Sequence, residues 1–133
     1  MFINNLIFVI GPEHKEQNNI FLQEALLLRE ATAANDIIVI EGERYGWPSM
    51  QMRYIPYFAG RVTLTLADKR LMDKIGSAFV AGYRVFITED TLNPAEAVKK
   101  EALDSIKTRY SIIQYAVKGK IKIYQITKEA IKP

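Results

Sequence analysis

The side chains in this sequence that can do chemistry fall where apolar runs end. His14, the only histidine, follows the run Leu6 to Ile10. Imidazole titrates near neutrality, which suits a general acid, a general base or a phosphate contact. Glu41 and Glu43 follow Ile37 to Ile40 and flank Gly42, while Asp68 follows Val62 to Leu66 and Glu89 and Asp90 follow Arg84 to Thr88. Carboxylates gathered at one end of a sheet can form an acid and base pair or hold magnesium. His14, Glu41, Glu43 and Asp68 are therefore the candidate catalytic residues, and no metal set is assigned. Ordinary roles compete with these: acids favour helix N-termini, where Asp68, Glu89 and Asp90 are expected, and His14 sits among the charges Glu13, Lys15 and Glu16 of an exposed loop.

The segment from Glu41 to Arg53 is the expected ligand surface. It holds the only tryptophan, Trp47, together with Gly42, Arg44, Tyr45, Gly46 and Arg53. Aromatic faces stack on bases and guanidinium forks take phosphate or carboxylate, so the mixture suits a nucleotide. Gly11 and His14, at the end of the first apolar run, are placed to join Gly42, Arg44, Tyr45, Trp47 and Arg53 around a ligand, because glycine lets backbone approach closely. A packing alternative uses the same stretch: Trp47, Met50, Tyr54, Tyr57 and Phe58 can cover a sheet edge or a subunit interface.

Several chemistries are excluded. Gly11 to Asn18 occupies the position of a phosphate loop but lacks the second glycine and the Lys-Ser or Lys-Thr pair that surround a triphosphate. One glycine there cannot supply a dinucleotide fingerprint, and no Gly-x-Ser-x-Gly elbow occurs. A single histidine rules out a two-histidine metal site within the chain, and the absence of cysteine rules out disulfides, thiolate metal sites and a cysteine nucleophile. No motif names a cofactor. Ile7 to Gly11, the spacing of Glu30 and Asp36 before Ile37-Ile38, and Tyr45 followed by Arg53 resemble the opening half of galactosyltransferase-like enzymes, which use a nucleotide-sugar. The acidic metal-binding triplet of those enzymes is absent, with only Asp68 near the corresponding place, and the chain is not assigned to them.

The elements that must position these residues alternate. Leu6 to Ile10 is expected as a first strand, a helix covers Asn19 to Ala34 with apolar residues at helical spacing, and Ile37 to Ile40 is a second, β-branched strand. Trp47-Pro48-Ser49 is expected to open a short helix ended by Pro56. Arg61 to Leu66 is a third strand, Thr65 with Asp68 resembles a capping pair for a helix stopped by Gly82, and Tyr83 to Thr88 is a fourth strand. Asn93-Pro94-Ala95-Glu96 reads as a helix start, and Val98, Ala102, Ile106, Tyr110, Ile113 and Val117 extend that helix to Lys118-Gly119 before a last strand, Lys120 to Ile126. The alternative is a hairpin in which 111–117 pairs with Ile121 to Ile126 across Lys118-Gly119. The expected fold class is α/β: a single domain over 1–133, a three-layer sandwich with a mostly parallel sheet of four to five strands, Rossmann-like or flavodoxin-like in the loose sense. In such sheets ligands sit outside the carboxyl ends of the strands, which is where the chemistry-bearing residues fall.

Composition bounds the partners. A chain of 133 residues, 49% apolar and 25% charged, suits one core rather than disorder. Residues 1–43 hold seven acids and two bases, whereas 44–133 hold eight acids and sixteen bases. The basic part can meet phosphates, nucleic acid or an acidic partner, or keep an edge strand from pairing. The first apolar run is too short for a signal core or a membrane span, so a cytoplasmic protein without membrane association is expected. The expectation is a small module binding a nucleotide, a phosphorylated ligand or single-stranded nucleic acid at the strand ends. The alternatives are a small enzyme acting on a phosphate-containing or nucleotide-linked substrate and a homo-oligomeric interaction protein.

Overall fold

The structure, a computed structural model, describes residues 12–44 and 47–128, with side chains described from Ile20 onward. The expected first strand Leu6 to Ile10, Gly11, Tyr45 and Gly46 lie outside the described residues. The described elements are α1 (Pro12–Ala31), β1 (Ile37–Ile40), β2 (Glu43–Arg44), β3 (Trp47–Pro48), α2 (Met50–Tyr54), a π-helical turn (Ile55–Ala59), β4 (Val62–Thr65), α3 (Leu71–Val80), β5 (Val85–Thr88), α4 (Ala97–Arg109), β6 (Ser111–Lys118) and β7 (Ile121–Thr127). None of the described helices is long and apolar enough to cross a membrane.

The β-branched runs form one five-stranded sheet in the order β4-β1-β5-β7-β6. β4, β1 and β5 run parallel, with Ile37 opposite both Val62 and Val85. The sheet is not parallel throughout, because β7 pairs antiparallel with β5 and with β6. Alternate side chains of each strand face opposite ways, and each face has its own core. Ile37, Val39, Val85, Ile87 and Ile126 pack on Leu71 and Ile75 of α3 and on Leu103 and Ile106 of α4. Ile38, Ile40, Phe86 and Ile123 pack on Ala25 and Leu28 of α1 and on Ile55 and Ala59 of the π-helical turn.

The structure corrects the expected C-terminal helix. α4 ends at Arg109, Tyr110 turns extended at φ −129° and ψ 164°, and Ser111–Lys118 forms β6. Lys118 pairs with Ile121, so Gly119 and Lys120 make a two-residue turn with Gly119 at φ 62°. A β-branched segment followed by a glycine turn gains a ladder that a last helical turn cannot match.

Other boundaries also move. Pro12 to Asn18, expected as a loop, belongs to α1, whose first position is one that proline suits. Trp47 and Pro48 form a short strand paired with Glu43 and Arg44, and the Ser49 hydroxyl accepts from the Met52 N–H to cap α2. α3 begins after Arg70, with the Asp68 carboxylate accepting from the Arg70 N–H. α4 begins after Glu96, while the Asn93 amide donates to the Glu89 carbonyl instead of capping the helix.

Candidate functional site

β1 and β5 are parallel neighbours, yet the chain leaves them toward opposite faces. After β1 it passes through the β2–β3 hairpin to α2 and the π-helical turn on the α1 face; after β5 it passes to α4 on the other. Such a divergence opens a crevice outside the carboxyl ends, where a ligand reaches loops from both faces. Here the crevice has a volume of about 580 Å³, and its walls include Phe21, Glu41, Arg44, Trp47, Gln51 and Asp90.

Polar side chains from both faces meet beneath it. Glu41, 3% exposed, accepts from Arg44 through both oxygens, Nη2 to Oε1 at 2.7 Å and Nε to Oε2 at 3.1 Å. Lys99 reaches its Oε2 at 3.5 Å from α4 and also pairs with Glu96. Two carboxylates against two cations balance the buried charge, which is the condition for keeping ions out of water. Gln51 ties the strand ends together. Its Oε1 accepts from the Glu41 N–H at 3.0 Å and from the Thr91 hydroxyl at 3.0 Å, and its Nε2 donates to Thr88 at 2.9 Å. The Thr88 hydroxyl then donates to Thr91 at 2.8 Å, closing the ring.

A second acid behaves differently. Glu24, on α1, is 3% exposed, and its Oε1 has no hydrogen-bond partner. It faces Asp90 and Gln51. Burial first, then the adjacent Asp90 carboxylate, push the Glu24 carboxyl up to about 9, so it holds its proton at neutral pH. Glu24 is thus a carboxyl that keeps its proton with a second acid beside it, an environment of the kind that makes a proton donor.

The sequence candidates divide. Glu41, Arg44 and Trp47 come together around the crevice. Trp47 is 76% exposed and stands across the β2–β3 pair from Arg44. Glu43 and Arg53 are exposed and are not among the residues lining it. Gly42, at φ 89°, makes its close approach to Thr65 at the end of β4: a Cβ on it would stand 2.8 Å from the Thr65 Cβ. Asp68 bonds Lys74, and that ammonium together with the Arg70 N–H holds its carboxyl below the usual range. His14 lies in α1, with its side chain outside the description, and Gly11 and Tyr45 lie outside the described residues. Glu24, Gln51, Thr88, Thr91 and Lys99 carry no motif. Glu24 does leave a signal: it shares a helical stripe with Leu27, Leu28 and Ala31, where an acid is out of place.

Among the described residues no group of three or more histidine, aspartate or glutamate side chains is arranged to hold a metal ion. Comparison of the chain with models of protein families, with curated proteins and with solved structures finds no match.

Proposed function

We propose that this protein is a small binding module that takes a nucleotide in the crevice at the carboxyl ends of β1 and β5. The observation that carries the reading is the position of Trp47 and Arg44, cross-strand partners on a hairpin lining that crevice. An exposed indole offers a stacking face for a base, and a guanidinium beside it offers a fork for phosphate. Asp90 and Asn93, on the opposite wall, offer acceptors and donors to ribose hydroxyls. Cores on both faces of the sheet favour a three-layer, loosely Rossmann-like arrangement, in which this is the usual place for such a ligand.

Because Trp47 is the only tryptophan, its emission reports this crevice alone. Titration with AMP and UMP is expected to change that emission saturably in the wild type, with affinity weakened at least about tenfold in Arg44→Ala, the loss of one charge-assisted contact. An unchanged emission in the millimolar range, or equal affinity in the variant, contradicts the proposal. Preference for an oligonucleotide, with affinity falling steeply as salt rises, would assign single-stranded nucleic acid as the ligand and draw on the basic residues beyond position 43.

A second reading, a small enzyme acting on a phosphate-containing or nucleotide-linked substrate, is favoured by Glu24, whose retained proton makes it a general acid at neutral pH. It requires that release of phosphate from a nucleoside triphosphate be detectable and be lost in Glu24→Gln with the fold intact. Release that persists in that variant removes Glu24 from the chemistry.

A further inference from the structure

A second cavity, about 620 Å³, lies on the other side of Asp90, between α1 and the β6–β7 turn. Asp90 is the one residue whose surface is shared with the Trp47 crevice. Glu24 and Glu30 lie on the α1 wall and Glu89 beside Asp90; Lys118, Gly119, Lys120 and Lys122 lie on the hairpin wall, Lys122 between Ile121 and Ile123, which face α1, so that its side chain turns to the other face of the sheet. None of these three lysines takes part in a salt bridge among the described residues. The antiparallel register sets them there: β7 runs against β5, so the turn falls at the carboxyl end of β5, where Thr88 pairs with Ile123.

The acid pair explains what this cavity is built to accept. Glu24 stands behind Asp90, and its carboxyl, pushed up to about 9 by burial and by that neighbour, keeps a proton it can offer to Asp90. Asp90 is exposed on the cavity wall, while the Glu24 Oε1 is shielded from water without a partner. A buried polar atom left without a partner is a cost that folding alone does not explain. Lys118 and Lys120, without a salt bridge among the described residues, call for an anion, and the exposed Asp90 side chain on the other wall calls for hydroxyl donors, as acidic residues do for ribose in nucleotide folds.

We propose that this cavity binds a phosphorylated polyol of the sugar-phosphate class, its phosphate on Lys118 and Lys120 and its hydroxyls on Asp90, with Glu24 as the positioning residue behind Asp90. Ile20, Leu27 and Ile121 supply the apolar surface against which the C–H face of the sugar lies. This site goes beyond the nucleotide reading and does not depend on it.

The test is amide chemical-shift mapping of the full chain with ribose 5-phosphate, ribose and inorganic phosphate as probes. Saturable shifts at the Gly119 to Lys122 amides are expected, with ribose 5-phosphate binding tighter than either of the other two. The Lys118→Ala/Lys120→Ala variant is expected to lose affinity for ribose 5-phosphate and inorganic phosphate at least about tenfold. Glu24→Leu is expected to lose about tenfold for ribose 5-phosphate and little for inorganic phosphate, whereas Glu24→Gln, whose amide can still donate to Asp90, restores most of it. No saturation at these amides, equal affinity for ribose and ribose 5-phosphate, or indifference to the lysine substitutions overturns the proposal. Trp47 emission, read in the same samples, reports the other crevice, so the two sites fail or succeed separately.

Discussion

Two buried acids, one at each end of the sheet, are treated in opposite ways. At the amino ends, Asp36 precedes β1 and is closed off completely. Arg84 donates to it twice, Nε to Oδ1 at 3.1 Å and Nη2 to Oδ2 at 2.6 Å, and the Ala33 N–H donates to Oδ2 at 2.7 Å. The same guanidinium bonds the Tyr115 hydroxyl at 3.2 Å and lies 5.2 Å from the Phe86 ring centre. Asp36 first, then Tyr115, hold Arg84 firmly in its charged form. At the carboxyl ends Glu24 has no arginine, keeps one oxygen unpaired and stands behind an exposed aspartate that lines two cavities. Glu41, on the wall of the Trp47 crevice, is closed by Arg44 and Lys99. Burial alone therefore does not mark a site. What separates Glu24 from Asp36 and Glu41 is the number of donors the fold supplies.

The largest expected effect lies at the open end. Glu24 has a native pKa raised from its ordinary 4.5 to about 9, so the native state keeps a proton that the unfolded chain releases across that window. Its stabilising contribution is complete below the lower value and is lost as pH rises toward the upper one. Within the window the slope from this group is about 1.4 kcal/mol per pH unit. Glu24→Gln removes the titrating group, so the stability of the variant relative to wild type should climb from pH 5 to pH 8 in urea melts. Parallel curves would contradict the neutral carboxyl.

At the closed end, Arg84→Ala strands the Asp36 carboxylate and should destabilise by about 2–3 kcal/mol, discounted for an arginine that is partly exposed. Nucleotide-induced Trp47 emission should be unaffected. A change in ligand response would break the contrast between the ends.

A smaller effect is expected at the turn that carries the lysines. Gly119 adopts φ 62° with open space where a Cβ would stand, so Gly119→Ala meets backbone strain but no clash. A loss of about 1 kcal/mol in thermal or urea unfolding is expected, and a neutral result would argue against the two-residue turn.

The strands were legible because Ile37 to Ile40, Val62 to Thr65 and Val85 to Thr88 are short β-branched runs with turn signals around them. The C-terminal hairpin was hidden by a coincidence of spacing: Ile113 and Val117 continue a step of three and four from Val98 through Tyr110. The buried face of α4 is in fact Lys99, Leu103 and Ile106, while Val98 is 62% exposed. Lys99 is buried because Glu41 and Glu96 receive it, a tertiary cause that no helical period encodes. Of the site, Glu41, Arg44 and Trp47 were visible as unusual residues after a strand. Gln51, Thr88 and Thr91 are ordinary types that gain meaning only when the ends of β1 and β5 are side by side.

The most direct test of the contrast is backbone amide shift mapping during titration with AMP. Perturbations confined to residues 41–51 and 88–93, with 33–37 and 83–85 silent, are what a ligand site at the carboxyl ends predicts. Perturbations at the Asp36–Arg84 end, or none at either end at saturating nucleotide, would contradict it.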